Sequence, residues 1–428
     1  MTDTRVDVAI IGGGMVGASL AVALSGTGVS TMLVEGTAPG SKTQPSFDDR
    51  TTALGNASRR IFHGLGVWER LAPEAAAIRT IHVSDAGRFG FARLNAAEQG
   101  IDAFGYVVPN RVIGTALWEK LQGAKDVLLR VPARPERVEI SDQGVTFTLA
   151  GKTPAGNTPA GESSASESVS ARLVVAADGA HSVVRAAAGI EADVEDYEQI
   201  AIVANVAADR PHDGTAYERF TQSGPLAVLP LHDGSYGVIW TCAPTRAAEV
   251  LSLDNNSYLR ELQERFGWRA GRFVRAGVRA SYPLKLTRAA TTVAARTVLI
   301  GNAAQALHPV AGQGFNLGLR DAAMLAEVIA GVRGGWTAVA AAGGDADVGS
   351  PELLRQFAAW REGDRKGVVR FTDGLVKMFA STRPGAGALR NLGLLLFDLS
   401  PPAKSALARV SAGFAGPTPR LARGLGLR

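Results

Sequence analysis

The feature that most constrains this chain is a glycine turn set between a strand-like and a helix-like segment close to its start. Residues 6–11 are apolar except for Asp7, and Gly12, Gly14 and Gly17 follow at GxGxxG spacing. Residues 18–24 then read as helix, and residues 30–34 as a second strand that ends at Glu35. Each position has a physical task. Gly12 makes the tight turn, Gly14 lets backbone approach a pyrophosphate, and Gly17 lets the helix pack closely on the strand. The helix N-terminus offers unpaired N–H groups and a partial positive charge to phosphates, and Glu35 is placed to accept the hydroxyls of an adenosine ribose. Together they predict a Rossmann-like dinucleotide-binding unit.

The rest of the chain is organised around more strands. Residues 127–131, 138–141, 145–149 and 172–177 have strand composition, and residues 200–240 alternate apolar and polar, which predicts a second, mostly antiparallel sheet. Residues 151–168 are Gly, Thr, Pro, Ser, Ala and Glu with almost no large apolar side chain, and read as an extended hairpin loop. Residues 297–300 form a further apolar strand entering a glycine-rich turn, residues 331–349 are small and flexible in composition, and residues 351–379 onward read as helix. With 428 residues the chain can bury a sizeable core. The fold class expected is α/β, with the Rossmann-like domain in three pieces (1–75, 105–190 and 285–335). An antiparallel-sheet substrate domain (76–104 and 191–284) is interleaved with it, and a C-terminal helical region (351–428) follows.

Composition excludes several classes. No apolar run is long enough to span a bilayer, and no secretory h-region precedes the first strand, so an intracellular, cytoplasmic protein is expected. The net charge of +5 is spread along the chain and gives no nucleic-acid signature. The single cysteine, Cys242, excludes an intramolecular disulfide framework and a CxxC redox pair. No second GxGxxG follows the first, so a reductase with a separate nicotinamide domain is not expected. No cluster with metal-ligand spacing is visible.

Three further segments carry a resemblance. Asp178 and Gly179 follow a central strand, and Gly301, Asn302 and Ala303 open a motif that runs through His308 and Pro309. That motif continues through Gly312, Gly314, Phe315 and Asn316 into a helix. Phe47, Asp48, Asp49 and Arg50 precede the first connection. With the glycine turn, these resemble the FAD-dependent aromatic monooxygenases of the para-hydroxybenzoate hydroxylase fold. Over nearly the whole chain, including the segment Glu218 to Pro230 and Arg390 to Leu394, the sequence is similar to the ubiquinone-pathway hydroxylases, above all those acting on 2-polyprenyl-6-methoxyphenol. Asn302 and Gln305, where sibling hydroxylases carry other residues, favour that branch.

The resemblance implies FAD held by Gly12, Gly14, Gly17, Glu35, Arg50, Arg111, Asp178, Asn302, Gly312, Gly314, Phe315 and Asn316. His308 and Pro309 would lie beside the flavin ring. It also implies NAD(P)H as electron donor, O2 as co-substrate, a polyprenyl phenol as substrate and a flavin C4a-hydroperoxide as oxidant, with no catalytic side chain identified. Three other readings stay open: a sibling hydroxylase acting at another ring position, an FAD-dependent prenyl reductase, and a non-catalytic FAD-bound subunit of a ubiquinone-biosynthesis complex. Because a polyprenyl phenol resides in the bilayer, peripheral contact with the inner face of the cytoplasmic membrane is expected. The apolar residues 389–399 and the basic residues Lys404, Arg409, Arg420, Arg423 and Arg428 are its candidates.

Overall fold

The strand that precedes the glycine turn, Asp3–Ile11, lies at the centre of a mostly parallel sheet. In the computed structural model, which describes residues 3–41, 50–150, 167–334, 347–380, 386–413 and 416–427, it pairs in parallel with Glu167–Ala176 on one side and Thr31–Val34 on the other. Val127–Arg130 and Thr297–Leu299 extend the parallel order outward. The first strand is buried continuously from Val6 to Ile11, as a strand covered on both faces must be. Helices Met15–Leu24 and Gln313–Gly334 bury one face through Leu20, Leu24, Leu319 and Leu325. The antiparallel strands Arg134–Ser141 and Gly144–Ala150 help cover the other through Phe147 and Leu149.

The second sheet has nine strands among the described residues and is built on the long strand Ala192–Ala208, flanked by Tyr236–Cys242 and Ala280–Ala289. Helices Pro244–Ser252 and Asn255–Phe266 cover one face with Tyr258, Leu262 and Phe266 against Trp240. Cys242 is buried there. The opposite face is turned toward the parallel-sheet domain and the C-terminal helices, and it walls the cavities described below.

The structure redraws some expected boundaries. Strand Ala280–Ala289 runs straight through position 284, and Gln305–Ala306 adds to the same second sheet, so that sheet reaches beyond 284. Ala76–Ile78 joins Thr51–Gly55 and Gly105–Pro109 in a small separate sheet. Hydrogen bonding across strands decides these memberships, and periodicity along one strand does not report it. The segments 42–49, which include Phe47, Asp48 and Asp49, and 151–166 and 335–346 lie outside the described residues. Strand Glu167–Ala176 already begins inside the expected loop.

The C-terminal region does not act as one unit. Helix Pro351–Ala380 packs along Gln313–Gly334, and helices Ala386–Asp398 and Pro401–Ser411 close over the second sheet. The short turn Arg420–Arg423 then returns to the first domain, where Leu421 and Ala422 are buried in its core.

Candidate active site

A cleft of about 840 Å³ opens where the parallel strands end, between the two sheets. Gly12 and Gly14 form one end. Gly12 takes φ +105°, and a Cβ there would fall on the backbone of Ala177; a Cβ on Gly17 would fall on the Gly12 carbonyl. The turn can close only with glycine at both positions. Glu35 lies in the lining, its Oε2 accepting from the Gly13 N–H at 2.6 Å and its Oε1 from the Thr37 N–H at 2.8 Å. An ionised carboxylate has about four lone-pair sites, so two remain for a ligand's hydroxyls.

Further along, Asp178 anchors its turn by accepting the Val183 N–H on Oδ2 at 2.8 Å, while its Oδ1 is buried with no partner among the described residues. Burial raises the Asp178 pKa, against hydrogen bonds from Ser182 and nearby backbone that lower it. Asn302 is exposed into the same cleft. Gly312, at φ +60°, and Gly314, beside which a Cβ would meet only open space, bring the start of helix Gln313–Gly334 to the wall. The first N–H groups of this 22-residue helix concentrate a partial positive charge at that point. The Arg50 guanidinium stands 4.5 Å over the Tyr282 ring at the rim. A buried unpaired carboxylate oxygen, an open glycine cradle and a positive helix end are the features that a flavin dinucleotide's hydroxyls, pyrophosphate and ring carbonyls require, so the residues present fit FAD.

Two expected contacts, Arg111 and Asn316, stand elsewhere. Arg111 is outside the cleft lining: its Nη2 donates to Glu74 at 2.7 Å on the surface, because it begins a helix whose buried side faces the core. Asn316 spends its side chain within the protein. It donates to the carbonyls of Ala53 and Gly312 and accepts from the Gly55 N–H and the Ser58 hydroxyl, thereby fixing the strand beneath the cleft. His308 lines the cleft with Pro309 but is 2% exposed. Its Nδ1 accepts from the Val310 N–H at 3.1 Å and its Nε2 faces the Gln199 side-chain Oε1 at 3.4 Å, which assigns the neutral Nε2–H tautomer. Burial lowers its pKa to about 4. Phe315 lies in the lining and stacks toward Phe62, with ring centres 6.2 Å apart.

A second cavity of about 740 Å³ lies against the first. Its wall is almost wholly apolar: Ile78, Val83, Leu94 and Phe104 from the sheets, Phe371, Leu375 and Phe379 from helix Pro351–Ala380, and Leu394 and Phe397 from helix Ala386–Asp398. Ala53, Ile78, Ile81 and Glu218 belong to both linings. Sequence reasoning did not single out Glu218 as a site residue. The available signal was a charged residue in phase with Ala216 and Phe220 on a half-buried strand.

A dinucleotide cleft joined to an apolar chamber, together with the likenesses that follow, marks an FAD-dependent monooxygenase. The family model described as FAD binding domain matches residues 5–341. The chain is 36% identical over 430 residues to "Ubiquinone hydroxylase UbiL" of Rhodospirillum rubrum, covering 99% of this chain and 94% of that one. It is 30% identical to the "3-demethoxyubiquinol 3-hydroxylase" of Escherichia coli, covering 92% and 95%. Its fold matches that of p-nitrophenol 4-monooxygenase PnpA from Pseudomonas putida DLL-E4 with a TM-score of 0.75, covering 97% and 99% at 20% identity. The chain belongs to the FAD binding domain family, in the branch that contains these ubiquinone-pathway hydroxylases.

Proposed function

We propose that this protein hydroxylates the aromatic ring of a polyprenylated phenol in ubiquinone biosynthesis, with 2-polyprenyl-6-methoxyphenol as the substrate and NAD(P)H as electron donor. The observation that carries this reading is the apolar chamber joined to the flavin cleft. A phenol ring at the junction faces the cleft while its prenyl chain lies along Phe371, Leu375, Phe379, Leu394 and Phe397. Burying prenyl methylene and methyl groups there contributes about 25 cal/mol per Å² of apolar surface removed from water.

Bound FAD supplies electron transfer and oxygen activation. The chain's own residues bind, orient and exclude water. The turn at Gly12 and Gly14, Glu35 and Asp178 are the proposed holders of the dinucleotide, and Arg50 and Asn302 flank it. The start of helix Gln313–Gly334 presents its N–H groups at the junction, where they would favour negative charge on a bound group. Neutral, buried His308 holds the loop shape and adds no charge. Helix Ala386–Asp398 roofs the chamber with Leu394 and Phe397 inward, and its outer Leu392 and Leu396 are exposed, as is Leu399 just beyond it. Among the described residues no helix is long and apolar enough to cross a membrane. The exposed leucines are the proposed contact with the lipid surface from which a polyprenyl phenol is taken.

The test is mass spectrometry of quinone intermediates in cells lacking the protein, paired with purified protein given FAD, NADPH, 2-geranyl-6-methoxyphenol and heavy-isotope O2. Accumulation of the methoxyphenol and one labelled oxygen in the product are expected. Accumulation of a demethoxylated quinol would favour the sibling reading, for which the Escherichia coli relative's activity speaks. Reduction of a prenyl double bond with no labelled oxygen would overturn both.

A further inference from the structure

Glu218 occupies a singular place in the second sheet. Backbone pairing sets six residues in one row across five strand junctions: Ala92, Val83, Glu218, Ala227, Ile239 and Val203. Paired residues share a face, and all six belong to the lining of one or both cavities. Five are aliphatic. The sixth is a carboxylate at the seam where the flavin cleft meets the apolar chamber.

No hydrogen bond or ion pair to the Glu218 carboxyl is found among the described residues. The other charged groups in the two linings are committed elsewhere. Arg390 pairs with Asp85 at 3.3 Å, Lys285 with Asp196 at 3.1 Å, and the Arg50 guanidinium lies on the Tyr282 ring. Glu35 and Asp178 bind backbone N–H groups at the dinucleotide end, and His308 is neutral. The phenols of Tyr217 and Tyr282 complete the set. An unpaired carboxyl held inside an apolar wall is costly, and a ligand that donates a hydrogen bond there removes that cost.

We propose that Glu218 is the catalytic acceptor of the substrate's phenolic proton. This rests on the reading of a prenylated phenol as substrate. The phenol O–H bond breaks, the proton goes to a Glu218 carboxylate oxygen, and the electron pair stays on the phenol oxygen. That pair raises electron density on the ring carbon that takes one oxygen atom of O2. The O–O bond breaks as this carbon–oxygen bond forms, and the ring carbon gives up its C–H proton, which balances the one carried by the new hydroxyl. Two electrons and a proton from NAD(P)H, passed through the flavin, with one proton from solvent, reduce the other oxygen to water, and Glu218 returns its proton to the phenol oxygen of the product. Burial alone raises the Glu218 pKa to about 7, with no charged neighbour offsetting it, so the carboxylate is poised to exchange a proton near neutrality.

The experiment compares the FAD-loaded wild type with Glu218→Gln and Glu218→Asp, using 2-geranyl-6-methoxyphenol as the probe. Its binding is read from perturbation of the flavin spectrum, and its hydroxylation from product, both across pH. In the wild type, kcat and affinity should rise through an inflection near pH 7. Glu218→Gln should keep FAD and lower kcat by about 100-fold or more with no inflection, while KM changes far less. Glu218→Asp should recover part of the rate with a displaced inflection. Wild-type rate and pH profile in Glu218→Gln would overturn the proposal and leave the substrate reading intact. If Glu218→Gln loses FAD, an unchanged rate and inflection in Glu218→Asp would overturn it equally. A wild-type flavin spectrum that does not respond to the probe would overturn the substrate reading and this proposal together.

Discussion

The guanidinium of Arg361 donates from Nε to Asp321 Oδ1 at 2.7 Å, and neither side chain is reached by solvent. The pair joins helix Pro351–Ala380 to the helix that starts at the flavin cleft. Asp364 extends it, accepting from Arg361 at 2.6 Å and from Arg320 at 2.8 Å. Gln305 closes the chain by donating to Asp321 at 3.0 Å and accepting from Arg365 at 2.6 Å. Two cations and two anions withdrawn from water are tolerable only because each is held by more than one charge-assisted bond.

Arg361→Met should therefore destabilise the protein by about 3–5 kcal/mol, because Asp321 is left charged and buried without its partner. Adding Asp321→Asn should restore part of that loss. Urea unfolding of the three chains at pH 7 reads both effects, and an Arg361→Met midpoint equal to wild type would refute the assignment.

Acid should act in two stages. His308 and His82 are buried, and burial, with nearby arginines in the case of His82, lowers each pKa to about 4. The unfolded chain binds protons on them from about pH 6.5 downward while the folded chain does not, so stability falls as pH drops from 6.5 toward 4. One such histidine accounts for about 3 kcal/mol at pH 4. Burial would raise Asp364, but Arg320 and Arg361 outweigh it and hold its carboxyl below the usual range. Its contribution is present above the unfolded pKa of about 3.9 and is lost below it as pH falls through the folded value. Thermal melts against pH should show both stages. His308→Gln, whose amide can still accept the Val310 N–H, should flatten the first.

The cofactor cradle separates two kinds of glycine. Gly17→Ala should prevent the turn from closing, whereas Gly314→Ala should fold and weaken FAD, since its methyl enters open cleft space. Gly14→Val should abolish FAD binding, and Asn302→Asp should retain it, because both side chains accept from a hydroxyl. Asp178→Ala should lower FAD affinity by removing the buried unpaired oxygen. Flavin fluorescence titration of the apoprotein ranks the five. Wild-type affinity in Gly14→Val would show that the turn is not the phosphate site.

Lipid contact is tested on helix Ala386–Asp398 and the residue after it. Lys404 pairs with Asp398 at 2.9 Å. The Arg420 N–H and the half-exposed Arg423 side chain both engage Glu327, so Lys404 and Arg423 are paired within the protein while Arg409 is exposed. Removing everything beyond Ser400 would also strip Leu421 and Leu427 from the core. Replacing Leu392, Leu396 and Leu399 by Gln should instead abolish flotation with anionic liposomes while leaving the melting temperature within a few degrees. Unchanged flotation would exclude these leucines as the anchor.

The local chemistry of the cleft was legible in the sequence because it depends on near neighbours. Gly12 and Gly17 must be glycine for one strand-turn-helix unit to close, and Glu35 lies one short strand beyond it. The alternation through residues 200–240 likewise reports strands of a second, mostly antiparallel sheet. Other features required the tertiary structure. Arg111 and Asn316 sit in motif-like positions, yet their side chains are claimed by Glu74 and by backbone groups brought close only by folding. Glu218 reads along the chain as an ordinary polar strand residue. Only the pairing of six strands and the closure of two distant C-terminal helices turn its surroundings apolar. Burial and hydrogen-bond partnership are properties of segments far apart in the chain, and no spacing within one segment encodes them.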